Sequence, residues 1–363
     1  MKVRARACAN IALTKYWGKQ VPPGDARHAF LDEEAEHQPA GTTPRGAAVG
    51  LNSPATPSVS LVLNELLTET TVEPSPDDTD RLFLDGAPAG DEAQRRTTAY
   101  LDLWRARELI RGRFHIHSEN AFPTAAGLAS SASGFAALAA ALGEMSAKRL
   151  SQAALSRLAR QGSGSAARSI PGGLTILPAG KDPAARCVLP PEQVPWGMVV
   201  AILQTEGGTS GAKKVSSRAG MEHTRLTSPY YAAWRRQARA DTRALLAAIE
   251  RRDLTEAGRI TEANALAMHA VMLAARPGLI YWQPATLAML AAVRRWREEG
   301  LEAYMTTDAG PHPILLAAAD DLATVADAAL DVPGVGSVIA SLPGPGAEIM
   351  GREVRHCEID RTL

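Results

Sequence analysis

Strand-like and helix-like segments follow one another along this chain without a regular β-α-β rhythm, and that order constrains the fold more than any other feature. A regular rhythm would build a parallel sheet, whereas an irregular mixture points to an α+β fold. "MKVRARACANIAL" alternates at Val3, Ala5 and Ala7 and then turns apolar, as a first strand does. "PSVSLVLNELLTETTVE" and "GRFHIHSENAFP" alternate as half-buried strands, and "RLFLDGAPA" carries the Asp85-Gly86 signal of a hairpin. Helical spacing marks "DEAQRRTTAYLDLWRARELI", residues 134–147, "SQAALSRLARQGSGSAAR", most of 229–275 and "PATLAMLAAVRRWREEG". "EAYMTTDAG" and "GVGSVIASLPGPGAEIM" are strand candidates on either side of a further Ala-rich helix. The 363 residues suffice for two domains. The short apolar strand "GMVVAILQ" opens the second, which divides the chain into 1–195 and 196–363. Residues 20–50, rich in Pro, Gly and charge, read as a long surface loop.

Charge and cysteine content narrow the function. Lys+Arg and Asp+Glu are equal at 39 each, and broad nucleic-acid binding needs a basic excess. A local basic pocket for a small anion stays open. Cys8, Cys187 and Cys357 have neither disulfide nor metal spacing, which fits a reducing cytoplasm. No apolar run reaches membrane-spanning length, and no signal-peptide core follows the N-terminus.

Four stretches can hold an anion. "PTAAGLASSASG", residues 123–134, feeds small residues and hydroxyls into a strong helix. A helix N-terminus offers free N–H groups and partial positive charge, although the same run also suits an ordinary cap. It lacks the Gly-Lys-Ser/Thr of a Walker loop. Ser130, Ser131 and Ser133 can add donors, and Ser130 or Ser131 can help to hold Mg²⁺. "GSGSAARSIPGG" sets Ser163 and Ser165 just before Arg168, which suits an oxyanion or a helix end with a solvated arginine. "TTDAGPHP" puts Asp308 at a strand-to-turn junction, as a general base or a turn former. "ANIALTKYWGK" flanks Tyr16 and Trp17 with Lys15 and Lys19, as an anion site or an edge strand with snorkelling lysines. His115 and His117 lack a nearby third metal ligand. Met268, His269 and Met272 read as core, and "RRWREE" as a solvated helix face.

Taken together, "NIALTKYWGK", "NSPATPSVSL", "PTAAGLASSASG", "GSGSAARS", "KKVSSRAGMEHTRLTSPYYAAW" and "TTDAGP" resemble, in order, the mevalonate diphosphate decarboxylase family of the GHMP small-molecule kinase superfamily. The resemblance implies a two-domain GHMP-kinase-like α+β fold. Its first domain is like the second domain of ribosomal protein S5, and its second is ferredoxin-like, with the active site between them. It implies ATP and Mg²⁺, a homodimer, and conversion of (R)-5-diphosphomevalonate to isopentenyl diphosphate, ADP, phosphate and CO₂. The related alternatives are 5-phosphomevalonate or 3,5-bisphosphomevalonate as substrate, or 3-phosphorylation without decarboxylation.

By the same resemblance, Tyr16, Trp17, Gly18 and Lys19 hold the substrate diphosphate, with Asn10 at their edge. Lys15 lies near the reacting groups. Pro123, Ala126, Gly127, Leu128, Ala129, Ser130, Ser131 and Ser133 form the ATP phosphate loop. Ser163, Gly164, Ser165 and Arg168 form a substrate turn in which the arginine engages the C1 carboxylate. Ser216, Ser217 and Thr227 belong to a stretch that closes on the ligands, and Asp308 is the essential aspartate near the C3 hydroxyl. The chain departs from the family at His312, where an Asn is usual, and in the length of the 20–50 loop.

Overall fold

The computed structural model describes residues 1–20, 52–122, 130–204 and 215–353. The 20–50 loop lies almost wholly outside them, as do residues 123–129 of the small-residue run.

Two sheets organise the chain. The first contains β1 (Lys2–Thr14), β2 (Ser58–Pro74), β3 (Arg81–Leu84), β4 (Ala87–Pro88), β5 (Phe114–Asn120), β6 (Leu174–Leu177) and β7 (Arg186–Leu189). It closes with β12 (Glu348–Glu353), in the order β12-β1-β2-β5-β3-β4, while β6 pairs with the start of β2. The second contains β8 (Trp196–Leu203), β9 (Ala303–Thr306), β10 (Ile314–Ala318) and β11 (Val335–Ser341), in the order β11-β8-β10-β9. The sheet changes at Trp196, yet β12 returns to pair antiparallel with β1. The two-domain α+β architecture expected from the sequence is the one observed.

Period-two alternation explains how β8 joins the halves. Trp196, Met198 and Val200 point into a core shared with Ile11, Leu13, Leu61 and Leu63 of the first sheet. Val199, Ala201 and Leu203 point the other way, against α8 (Pro284–Glu298) and α9 (Leu322–Leu330). Above the first sheet, α2 (Ser130–Met145) is alanine-rich and largely buried, so it can approach β1 and β2 closely. α1 (Asp91–Arg105) packs Tyr100, Leu101 and Trp104 onto the same core. On the cleft side lie α5 (Ser217–Thr227), α6 (Tyr231–Glu250) and α7 (Leu254–Leu273), which bury Met221, Trp234 and Met268 around Trp17.

Several sequence expectations change in detail. The helix expected over 151–168 is two, α3 (Gln152–Gly162) and α4 (Ala166–Ser169), because Ser163 adopts an extended backbone between them. The helix expected to start at 134 begins at Ser130, and the one expected through 110 ends at Arg105. The Ala-rich helix expected between the last two strand candidates is α9, and the sequence reading did not separate from it the strand β10 that precedes it, between β8 and β9. Strands β6 and β7 carried no alternation long enough to be read. Among the described residues, no helix is long and apolar enough to cross a membrane.

Candidate active site

A cleft of about 400 Å³ opens where the end of β1, the α3–α4 turn, the start of α2, the start of α5 and the turn after β9 converge. Each element delivers its side chain for a local reason. The β1–β2 register shifts between Cys8 and Asn10 and again between Ala12 and Thr14, and such irregularities re-aim side chains. Beyond the strand, Lys15 has 1% exposure, and its Nζ lies 2.8 Å from Asp308 Oδ1. The aspartate side chain is 39% exposed, so the pair has one buried end and one wet end. Burial lowers the Lys15 pKa, and the Asp308 carboxylate opposes that shift.

Arg168 is fixed in the wall by neutral partners. Its Nε donates to Asn10 Oδ1 at 3.1 Å and Ser60 Oγ at 2.6 Å, and its Nη1 donates to Ser58 Oγ at 2.6 Å. Asn10 is in turn held through its Nδ2, which donates to the Ser165 carbonyl and to Ser169 Oγ. Burial brings the guanidinium down to about 10 although Asp308 and Tyr16 pull upward. A buried cation with uncharged partners is poised to gain from an incoming anion.

The α3–α4 turn lets Tyr16 lie against the backbone. A Cβ on Gly164 would sit 2.7 Å from Tyr16 Cζ and Oη, so any side chain there must displace the ring. Tyr16 Oη donates to the Asn52 carbonyl at 2.8 Å. Gly18 has φ of +117°, and a Cβ there would collide with Tyr231 Oη, so it shapes the chain between Trp17 and Lys19 rather than lining the cleft. Hydroxyls run from Ser131 to Ser163 at 3.4 Å and from Ser163 to Ser165 at 3.2 Å. Ser130 lines the cleft beside them.

Three sequence candidates are placed differently. Ser133 is fully buried and bonds Thr68 Oγ1 at 2.6 Å, so its hydroxyl serves the core beneath α2. Thr227 closes α5, donating to the His223 carbonyl and accepting from the Arg276 N–H, and the structure does not bring it to the cleft. Ser216 lines the cleft but also caps α5, accepting from the Ala219 N–H at 3.2 Å, while Ser217 lines the cleft directly. Pro123, Ala126, Gly127, Leu128 and Ala129 fall outside the described residues. His312 turns away, with Nδ1 accepting from the Leu203 N–H at 3.0 Å.

Glu92, Arg96 and Arg218 also line the cleft and were missed by sequence reasoning. Arg218 directly follows the singled-out serines. Arg96 sits one turn before Tyr100 on the buried edge of α1, and an arginine on an apolar helix face was the available signal. With Lys15, Lys19 and Arg168, they make five cations against two carboxylates, Glu92 and Asp308. Burial, Arg218 and Arg96 bring Lys19 down to about 8. Such a cleft suits a polyanion. Arg96 Nη2 donates to the Gly162 carbonyl at 2.7 Å, while its buried Nε has no hydrogen-bond partner among the described residues, an orientation that suits an anion. Among the described residues, no three His, Cys, Asp or Glu side chains cluster to hold a metal. The Ser130 and Ser131 hydroxyls that line the cleft are oxygen donors of the kind a hard cation accepts. An apolar pocket of about 180 Å³, lined by Leu82, Ile116 and Phe135, adjoins the cleft and shares Arg96, Ser130 and Ser131 with it.

Comparison with known proteins places the chain as a whole. Residues 47–188 match the diphosphomevalonate decarboxylase-like N-terminal domain, and residues 206–335 match the mevalonate 5-diphosphate decarboxylase C-terminal domain. Diphosphomevalonate decarboxylase of Ganoderma lucidum is 33% identical over 340 residues, covering 86% of this chain and 77% of its own. The structure of mevalonate diphosphate decarboxylase from Staphylococcus aureus superposes with a TM-score of 0.82 at 33% identity, covering 96% of this chain and 98% of that one. The structure of MDDEF in complex with MVAPP, AMPPCP and magnesium gives 0.82 at 33% identity, covering 97% and 99%. With both of its halves matched in this way, the chain belongs to the diphosphomevalonate decarboxylase family.

Proposed function

We propose that this protein converts (R)-5-diphosphomevalonate and ATP to isopentenyl diphosphate, ADP, phosphate and CO₂, through phosphorylation of the C3 hydroxyl. The observation that carries this reading is the meeting of Lys15, Asp308 and Arg168 in one cationic cleft, although they come from distant parts of the chain. Homology to decarboxylases over most of the chain supports it.

The roles follow from position. Asp308, exposed at the mouth, takes or orients the C3 hydroxyl proton as the oxygen attacks the γ-phosphorus. Lys15 offsets charge at the transferring phosphoryl group, where a well-aimed donor is worth roughly 2.7–4 kcal/mol. Arg168 holds the C1 carboxylate. When the C1–C2 bond breaks, its electron pair becomes the C2=C3 bond, and the C3–O pair leaves with phosphate. The carboxyl carbon departs as CO₂, so no electron-sink cofactor is needed. Lys19, Tyr16, Ser163 and Ser165 take the diphosphate tail, with Asn10, Trp17, Gly18 and Gly164 shaping their positions and Ser217 closing nearby. Ser130 and Ser131 hold the nucleotide phosphates at the start of α2, and the apolar pocket beside them suits the base. Bound Mg²⁺ supplies charge neutralisation on the phosphate oxygens.

The same reading takes 1–195 and 196–363 as the two domains, supported by the change of sheet at Trp196. It takes the enzyme as a cytoplasmic homodimer. The free thiols of Cys8 and Cys187 suit that compartment, and Tyr230 and Ile280 leave exposed apolar surface for a second copy. The test is ADP formation with Mg²⁺-ATP and mevalonate, 5-phosphomevalonate or 5-diphosphomevalonate. Turnover on the diphosphate, lost in Asp308→Ala, is expected. Turnover on the monophosphate alone moves the protein to that substrate, and no ADP with any of the three refutes the reading.

A further inference from the structure

Lys15 and Asp308 are 293 positions apart and leave different sheets, so something must set their separation. Helix α7 touches the backbone behind both. Asn264 Oδ1 accepts from the Lys15 backbone N–H at 2.8 Å, and Asn264 Nδ2 donates to Asp241 Oδ2 at 2.7 Å. That second bond fixes which way the amide faces. Five residues along the helix, about 7.5 Å of rise, His269 Nε2 lies 2.7 Å from the Oγ1 of Thr307, the residue before Asp308. The Trp282 ring covers the imidazole at a centroid distance of 4.6 Å, and its Nε1 donates to the same Thr307 oxygen at 3.3 Å. Asp308 itself follows directly in the chain, and its carbonyl accepts from the Gly310 N–H at 2.8 Å. Asn264 and Thr307 are fully buried and His269 is 3% exposed, so water cannot replace these partners.

We infer that Asn264 and His269 are positioning residues, and that α7 is the bar that sets the Lys15–Asp308 geometry across the two sheets. Neither side chain needs to touch substrate. Burial and the Lys15 charge keep the imidazole neutral, so it can serve Thr307 without adding a second cation beside Lys15. A displacement of about 1 Å at reacting groups can cost about 10²-fold in rate. The inference rests on the decarboxylase reading.

The test compares wild type with His269→Ala, His269→Gln, Thr307→Val and the His269→Ala/Thr307→Val double variant, by kcat, by KM for both substrates and by thermal melting. His269→Ala and Thr307→Val are each expected to lower kcat by about 10²-fold, with KM near wild type in protein that still melts cooperatively. His269→Gln keeps an amide near the Nε2 position and should recover most of the rate. The double variant should be no slower than the worse single, as for residues acting as one unit. Wild-type kcat in folded His269→Ala, losses that multiply in the double variant, or no recovery in His269→Gln would overturn the inference. Wild type that forms no ADP would instead remove the reading beneath it.

Discussion

Removing Asp308 should destabilise this protein, and removing its partner Lys15 should not. The two ends of the pair differ in surroundings, since Lys15 is 1% exposed and the Asp308 side chain 39% exposed. At 2.8 Å, Coulomb's law gives about 6 kcal/mol at an effective dielectric constant of 20 and about 1.5 kcal/mol in bulk water. Water at the aspartate pulls the figure toward the lower bound. Asp308→Ala also leaves a buried ammonium without its carboxylate, which full burial would make costlier still. Lys15 can release its proton, however, because burial already lowers its pKa, and that limits the loss. Together these set an expected cost of about 1–3 kcal/mol for Asp308→Ala. Lys15→Met removes the buried charge while the Asp308 carboxylate stays within reach of water, so it should cost less than that or raise stability, as replacements at functional sites often do. The double variant should recover stability relative to Asp308→Ala. Thermal and urea denaturation of the four proteins near pH 7.5 reads this directly. An Asp308→Ala protein as stable as wild type, or a Lys15→Met protein less stable than Asp308→Ala, would refute the reasoning.

Other consequences concern pH and packing. Burial, helped by Lys15, holds the His269 pKa down at about 3, against about 6.5 when unfolded, so the unfolded chain binds more protons between those values. Its share of stability is complete above about pH 6.5 and falls by up to about 1.4 kcal/mol per unit as pH drops toward 3. Melting curves of His269→Gln should lack that share of the acid sensitivity. Lys19 is protonated only below about pH 8, so affinity for an anionic substrate should be present below that value and weaken above it. The KM–pH profile should rise there in wild type and stay flatter in Lys19→Arg. Gly164→Ala must push the Tyr16 ring off the Asn52 carbonyl, and should cost about 1–3 kcal/mol on denaturation while raising KM for the diphosphate substrate.

Where a single element decides a residue's place, the sequence was informative. Alternation in β1 and β2, the Asp85-Gly86 turn and the helical spacing of α6 to α8 are local patterns, and each is present in the structure. β10 was not legible as a strand because "ILLAA" lacks both alternation and β-branched enrichment, and its pairing with β8 and β9 is a tertiary fact. The cleft residues of four motifs converge although each motif alone was ambiguous. Arg96 and Glu92 were not legible because they sit in an ordinary amphipathic helix whose neighbour is decided by the sheet beneath it. His269 was read as core and is buried, but its hydrogen bond to the residue before Asp308 depends on how α7 crosses β9. The "RRWREE" run is only partly solvated, since Arg297 reaches inward to Glu262 at 3.0 Å and Trp296 is buried. His115 bonds Asp77 at 3.3 Å, and His117 stacks on Phe83.

The most direct test of the central claim is the ratio of CO₂ to ADP released from 1-carbon-labelled 5-diphosphomevalonate in one reaction. One CO₂ per ADP, with both products abolished in Asp308→Ala, is the predicted result. ADP without CO₂ would make the protein a kinase that stops at the phosphorylated intermediate, and would contradict the role given to Arg168.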